Sequence, residues 1–313
     1  MSNIKPKVAI VILTWNGLKL TREVLSDLAK IDASDLELEI IVVDNGSKDN
    51  TSKELSSYKF PYGKYKLLIN EDNLGFADGN NTGIKYALNN KADYVILMNN
   101  DVIVPVNLIG NLVKTMQDDP KIGLASPKIF FASGYEFHKE RYKKGDLGKV
   151  IWYAGGKIDW NNVYSFHRGV DEVDKGQHNR QGQTDVANAA CVIIRRRVLE
   201  ELDGFDGKYY LYWEDADLCQ RAKRRGWKII YTPKAYIWHK VSQSSGIGSD
   251  LNDYFLTRNR MVFGFRYASL RTKLALIRES LKILLNGRKW QRIAIKDFYL
   301  GHLGKGSWSK NEN

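Results

Sequence analysis

Four apolar runs in the N-terminal third of the chain end in the same chemistry. KVAIVILTWN closes on Asn16, LEIIVVD on Asp44, YKLLIN on Asn70 with Asp72 and Asn73 just beyond, and YVILMNND on Asn99, Asn100 and Asp101. Asn and Asp are poor strand formers, and a carboxylate is costly to bury without a partner. Between the runs the apolar spacing turns helical. Leu18, Val24, Leu25 and Leu28 follow the first, a Ser- and Asp-bearing loop suited to start a helix near Thr51 follows the second, and a Gly- and Asn-rich loop with a helix from about Phe76 to Leu88 follows the third. Strands alternating with helices imply right-handed crossovers and a mainly parallel sheet covered on both faces. In such a sheet the strand ends share one edge, and ligands bind there beside the point where strand order reverses. One polar terminus is ordinary turn chemistry. Four at one edge point to a polar ligand.

The rest of the chain is less regular. From Phe131 to Thr184 the pattern weakens into a stretch rich in Gly, Tyr, Trp and charge, with aromatics that suit either short packed strands or the apolar faces of sugar rings. TDVANAACVIIRRRVLEEL reads as a strand and a short helix. LYWEDADLCQRAKRRGWKIIYTP reads as an acidic stretch, a helix stopped at Gly226 and a strand, and AYIWHK as a further strand ending in His239, before a flexible SQSSG. The tail from about Asn252 is helical in period, with Leu270, Leu274, Ile277, Leu281 and Leu284 on one stripe and Arg271, Lys273, Arg278 and Lys282 beside or opposite it.

At 313 residues the chain has room for one large domain with an appendage. Cys191 and Cys219 form neither a disulfide framework nor a zinc spacing, read as buried free thiols, and suit a reducing compartment. The N-terminus lacks the shape of a signal peptide, and no apolar stretch is long enough to span a membrane. The formal charge of +12 is uneven: from Arg258 onward, 13 Lys and Arg stand against Glu279, Asp297 and Glu312, so this segment carries +10 and the rest +2. No recognition motif accompanies that charge, so nucleic acid is not an expected partner. Two readings of the tail fit: a basic amphipathic surface lying on anionic lipid, or a Leu stripe packed on the catalytic domain or a second subunit.

Glycine-rich dinucleotide and P-loop fingerprints are absent after the first strand, as is a G-x-S-x-G elbow. What remains is a set of carboxylates and one histidine. Asp101 suits a hard cation that takes few protein ligands and shares the rest with water and a diphosphate, and His239, at another strand end, suits the same site or a structural role. Glu214, Asp215 and Asp217 either decorate a helix N-terminus or, beside the aromatic YYLYW run, supply a general base for a hydroxyl.

Taken together and in order, VILTWNGLKLTREVLSDL, IIVVDNGSKDNT, NEDNLGFADGNNTGIKYAL, YVILMNNDV, VANAACVIIRRRVLEELDGFDGKYYLYWEDADLCQRAKRRGW and YIWHKVSQSSG resemble the family 2 glycosyltransferases, most of all the bacterial and archaeal rhamnosyltransferase-type members. The resemblance spans about Val8 to Gly246. It implies the nucleotide-diphospho-sugar transferase (A-type glycosyltransferase) fold, a Rossmann-like α/β sheet with helices on both faces plus a C-terminal helical tail. Residues 1–250 would form the catalytic domain, with 1–105 binding the nucleotide sugar and 106–250 the acceptor, and residues 251–313 a basic amphipathic region. It also implies sugar transfer with inversion. By position, Thr14, Trp15 and Asn16 should lie along the nucleotide and Asp44 should meet the base. Asn73, Gly75, Asp78 and Asn81 should hold ribose and diphosphate. Asn100 should lie near the donor, Asp101 should bind magnesium or manganese, and His239 should make the second metal or diphosphate contact. Asp215 matches the catalytic base, with Trp213, Glu214 and Asp217 expected on the acceptor side. The family's widespread Asp-x-Asp is here Asn99-Asn100-Asp101, one negative charge fewer at the metal.

The expected donor is dTDP-rhamnose, with UDP-sugars next, and the expected acceptor a glycan or lipid-linked saccharide. The implied setting is cytoplasmic, peripheral to the inner face of the cell membrane, with a homodimer allowed. Two other functions fit the residues less well. A sugar-nucleotide nucleotidyltransferase should carry a Gly-rich loop with Arg and Lys after the first strand. A non-catalytic carbohydrate-binding protein leaves the acidic strand ends unexplained.

Overall fold

The computed structural model describes residues 5–241 and 249–311. The expected alternation is present: β1 (Lys7–Thr14), α1 (Leu18–Leu28), β2 (Glu37–Asp44), α2 (Thr51–Ser56), β3 (Lys64–Ile69), α3 (Gly75–Asn89) and β4 (Tyr94–Asn99). There follow β5 (Val102–Ile103), α4 (Leu108–Asp118), β6 (Ile122–Phe131), β7 (Ile151–Tyr153), the hairpin β8 (Gly156–Asp159) and β9 (Tyr164–His167), and β10 (Gly182–Gln183). The last elements are β11 (Cys191–Arg195), α5 (Arg196–Leu202), α6 (Glu214–Arg224), β12 (Lys228–His239), α7 (Asp250–Tyr267), α8 (Leu270–Asn286) and α9 (Lys289–Leu300).

The main sheet runs β10-β12-β6-β11-β4-β1-β2-β3, with β5 on β12 and β7 on β6. β1 to β4 are mutually parallel, β11 runs antiparallel between β4 and β6, and β12 is parallel to β6. Side chains on β1 alternate between two cores. Val8, Ile10 and Ile12 meet Leu25 and Leu28 of α1 and Leu112 of α4, while Ala9 and Val11 meet Ala77 and Ile84 of α3 and Leu218 of α6. This two-faced burial explains why the strands read as continuous apolar runs. α3 lies close on the sheet because Gly79 and Gly83 face it: a Cβ at Gly83 would stand 2.3 Å from a Val11 methyl.

One expectation is corrected here. The runs read as separate strands on either side of Pro233 are one strand, β12, whose register with β6 shifts between Thr232 and Tyr236. That irregularity accommodates a proline, which has no N–H for the ladder. The tail packs on the rest of the chain. Met261, Phe263, Leu276 and Ile295 belong to the same core cluster as Val11 and Leu97. The Leu stripe of α8 is divided: Leu284 packs against the core beside the inward-facing Thr272, Leu276 and Ser280, Ile277 is half-buried, and Leu270, Leu274 and Leu281 are exposed. The Ser242–Gly246 stretch lies outside the described residues. Both cysteines are free and buried. Among the described residues no helix is long and apolar enough to cross a membrane.

Candidate active site

Register places the polar strand ends at one edge. Thr14 pairs with Asp44, Asp44 with Ile69, and Leu13 with Asn99. Because β11 is antiparallel to β4, its beginning reaches the same edge, with Cys191 opposite Met98 and Asn99 N–H donating to the Ala190 carbonyl at 3.0 Å. β12 delivers His239 there too, opposite Val102 of β5. The order reverses between β1 and β4, and there Asn100 Nδ2 donates to Thr14 Oγ1 at 3.2 Å. The neighbouring loops are cross-linked: Asn16, in the left-handed region at φ 49°, accepts from Lys48 N–H and donates to Ser47 Oγ. Trp15 stands half-exposed beside them.

Asp101 and His239 are both buried, with His239 Nε2 2.9 Å from Asp101 Oδ1. His239 Nδ1 is buried without a partner among the described residues. Adjacent ligands on an octahedral Mg²⁺ at about 2.1 Å are about 3 Å apart, so the two donor atoms fit neighbouring positions on one hard cation. The described residues hold no group of three or more His, Cys, Asp or Glu suited to a metal. A cation here would take its remaining ligands from substrate and water.

A contact chain runs from this pair to Asp215. The Trp152 ring stands edge-on to His239 and to His167, its centroid 4.6 Å from each. Asn188 Nδ2 reaches His167 Nε2 at 3.2 Å, while His167 Nδ1 meets the Trp152 carbonyl at 3.1 Å. With Asn188 as donor, His167 is the neutral Nδ1–H tautomer, in keeping with burial, which lowers its pKa to about 4. The next residue, Ala189, gives its N–H to Asp215, which also accepts from Ala216 N–H at 2.7 Å.

Asp215 sits in the first turn of α6, and burial raises its pKa to about 6 against those two N–H donors. Glu214 is buried, with Oε2 unpartnered among the described residues, and burial together with the Asp215 charge pushes its pKa well above the usual carboxylate range. Both carboxyls therefore hold a proton more tightly than an exposed carboxylate does, Glu214 through burial and the neighbouring Asp215 charge, and Asp215 through burial.

The approach to this pair is backbone under strain. Tyr210, Tyr212 and Trp213 have φ of 64°, 68° and 73°, where bulky residues are rarely found. α7 holds them. Asn259 Nδ2 donates to the carbonyls of Tyr209, Leu211 and Tyr212 at 2.8–2.9 Å, and Arg258 reaches those of Lys208 and Tyr209. Phe255 stacks on Tyr210 at 5.1 Å, and Phe263 packs on Trp213 at 4.7 Å. In turn the Tyr210 carbonyl accepts from the first N–H groups of α3, those of Phe76 and Ala77.

Several expected site residues turn out to be framework. Asp217 is fully buried and accepts from Tyr209, Tyr267, Arg221 and Arg266, which leaves no face for an acceptor. Trp213 is buried against α7 and forms no open wall. Asn81 spends both ends of its amide on the Phe205 backbone, so it joins α3 to the next loop. Asn73 Oδ1 accepts from Asn45 and from Gly75 N–H, which shapes the rim. Gly75, at φ +77°, lies under the Tyr210 ring, and Asp78 is exposed beside Gly207. Asp44 is buried and accepts from Ser47 N–H and Ser52 Oγ, with further lone pairs left for a base. Sequence reasoning missed Trp152, His167, Asn188, Arg258 and Asn259. None carried a clear signal: even Arg258 and Asn259 stand in a helix where polar and charged residues outnumber aromatics.

Residues 9–203 match the profile described as "Glycosyl transferase family 2". The chain belongs to that family. This glycosyltransferase is 25% identical over 259 residues, 79% of each chain, to an N-acetylglucosaminyl-diphospho-decaprenol L-rhamnosyltransferase of Mycobacterium tuberculosis. It is 23% identical to the low-salt glycan biosynthesis hexosyltransferase Agl10 of Haloferax volcanii, over 61% of this chain and 55% of that one. Its fold is that of the A-type transferases. A Pyrobaculum calidifontis mannosyltransferase in complex with GDP-Man and Mn²⁺ superimposes with a TM-score of 0.57 at 16% identity, covering 98% of this chain and 88% of that one. GalNAc-T7 with UDP, GalNAc and Mn²⁺ gives 0.61 at 16% identity, covering 95% and 57%. Family membership sets aside the nucleotidyltransferase and the non-catalytic readings.

Proposed function

We propose that this transferase moves a hexose, rhamnose in the first instance, from a nucleotide-diphospho-sugar to a hydroxyl of a glycan or lipid-linked saccharide, with inversion. The observation that carries the reading is the Asp101–His239 pair at the sheet edge, joined through Trp152, His167 and Asn188 to the backbone beside Asp215. Asp215 takes the proton of the acceptor hydroxyl as its oxygen attacks the anomeric carbon, and the bond to the diphosphate breaks in the same displacement. No protein nucleophile is needed. Asp101 and His239 would hold magnesium or manganese, which when bound supplies charge for the departing diphosphate. Thr14, Trp15, Asn16, Asp44 and Asn100 line the nucleotide side, and Glu214, which burial pushes toward its neutral form, stands beside the base.

The similarity to a decaprenol-linked rhamnosyltransferase supports rhamnose as the sugar and a lipid-linked acceptor; dTDP is the proposed carrier and the inner face of the membrane the proposed place of action. UDP-sugars are the second donor class. Thermal-shift measurements across a nucleotide-sugar panel with manganese, followed by transfer of labelled sugar to a lipid-linked saccharide, test this. A selective shift and turnover with dTDP-rhamnose is the expected result. A shift with UDP-sugars alone would overturn the donor assignment.

A further inference from the structure

α8 has two apolar faces, and the protein uses only one. Thr272, Leu276 and Ser280 face inward, and a Cβ at Gly264 of α7 would stand 2.4 Å from Leu276 Cδ1. Leu270, Leu274, Leu281 and Leu285 are 73, 59, 55 and 77% exposed. At about 3.6 residues per turn these four fall within about 60° of one another, roughly opposite the inward face. Arg271, Arg278 and Lys282 line one flank of that stripe and Lys273 the other. None of them has an ion-pair partner among the described residues. Glu279, the one acid on the helix, is committed to Arg260 at 2.7 Å. The β8–β9 hairpin is fastened to the start of α8 through Thr272 Oγ1 and the Trp160 carbonyl, 3.1 Å apart, and leaves Tyr164 and Phe166 about half exposed on one side of β9.

We infer that the outward face of α8 docks on an anionic lipid surface, with its leucines among the acyl chains and its cations at the headgroups. The inference deepens the reading of an enzyme with a lipid-linked acceptor and rests on it for its purpose. Charge decides the occupant. A second copy of the same face would set like charges against each other across the contact, in a segment that carries +10 from Arg258 onward. An anionic bilayer offers apolar depth and opposite charge together. Half-exposed aromatics beside the helix suit the same interface.

Co-sedimentation of the full chain with phosphatidylcholine vesicles, with and without phosphatidylglycerol, tests this in the absence of donor and acceptor. Binding should be at least about tenfold tighter to the anionic vesicles. The Leu274→Glu/Leu281→Glu variant should lose most of it, and Arg278→Glu/Lys282→Glu should lose the preference for anionic lipid. Both variants should keep the melting temperature and transfer to a water-soluble acceptor, since these side chains point away from the site. Equal binding to both vesicle types, or leucine variants that bind like the parent, would overturn the inference. So would a dimer that dissolves in the leucine variant without any vesicle binding. Transfer to the soluble acceptor is scored separately, so failed docking and a failed transferase reading leave different patterns.

Discussion

Asp215 is costly to the fold, and the proposed reaction uses what makes it so. Its pKa of about 6 against an ordinary 3.8 means that the fold holds the proton more tightly than the unfolded chain does. Stability is therefore greatest at low pH with respect to this group, and it is lost as pH rises from about 3.8 through about 6. Asp215→Asn should remove that cost and raise stability by roughly 1–3 kcal/mol, while cutting transfer about 100-fold or more and leaving donor binding intact. Melting curves and single-turnover assays on the variant check both halves, and full activity would remove Asp215 from the role. For the parent enzyme the sign reverses: kcat should fall as pH drops below about 6, because the base becomes protonated. Asp101→Ala should weaken donor binding only when divalent metal is present, as calorimetry with manganese and with chelator would show. At this scale the placement of the charged candidates was legible when one local run carried the signal: Asp101 follows β4 and Asp215 opens α6, where the sequence put them. The framework contacts of Asn81 and Asp217 were hidden because their partners, the Phe205 backbone and the Tyr267 and Arg266 side chains, lie far away in sequence. A polar residue committed to framework looks the same in a string of letters as one offered to substrate.

Among the elements, α7 is the one whose role could not be read from its period. β1 to β4 and the helices between them could be read, because burial on both faces leaves apolar runs and Asn or Asp marks their ends. α7 is held by polar groups instead: Arg258 and Asn259 are fully buried and point at backbone carbonyls of the Lys208–Tyr212 segment. Three left-handed aromatic residues cost about 1–3 kcal/mol each, and that strain persists only where the surroundings enforce it. Asn259→Ala withdraws one donor from three carbonyls, so the segment should relax and carry Glu214 and Asp215 with it. A displacement of about 1 Å at a reacting group can cost about 100-fold. The expected outcome is a kcat lower by about tenfold or more, with the KM for donor little changed and the acid limb of the pH profile displaced. A fall in stability with kcat intact would show that α7 supports the fold and does not position the base.

At the scale of the whole molecule the tail shares a core cluster with the rest of the chain, although its charge sets it apart. Composition separates a nearly neutral first part from a strongly basic tail, and nothing in a charge count reveals that the tail closes the core. Tyr254 of α7 and Trp290 of α9 pack with Trp308, while Asp297 accepts from Tyr254 and from Ser307 N–H. Arg258 joins that cluster to the Tyr209 segment. Met261, Phe263, Leu276 and Ile295 continue the core beneath α6. Burying each such side chain contributes about 1.5–3 kcal/mol, so the four together rival the roughly 5–15 kcal/mol that holds a typical domain folded. A chain ended at residue 249 also loses the donors for the strained segment ahead of Asp215. The full chain should therefore melt in a single transition, and the shortened chain should show no cooperative melting and no donor-dependent thermal shift. Differential scanning calorimetry on both separates the cases. A shortened chain that melts cooperatively within a few degrees of the parent would restore the tail to an appendage, and it would force the positioning of Asp215 to be explained from α6 and β11 alone.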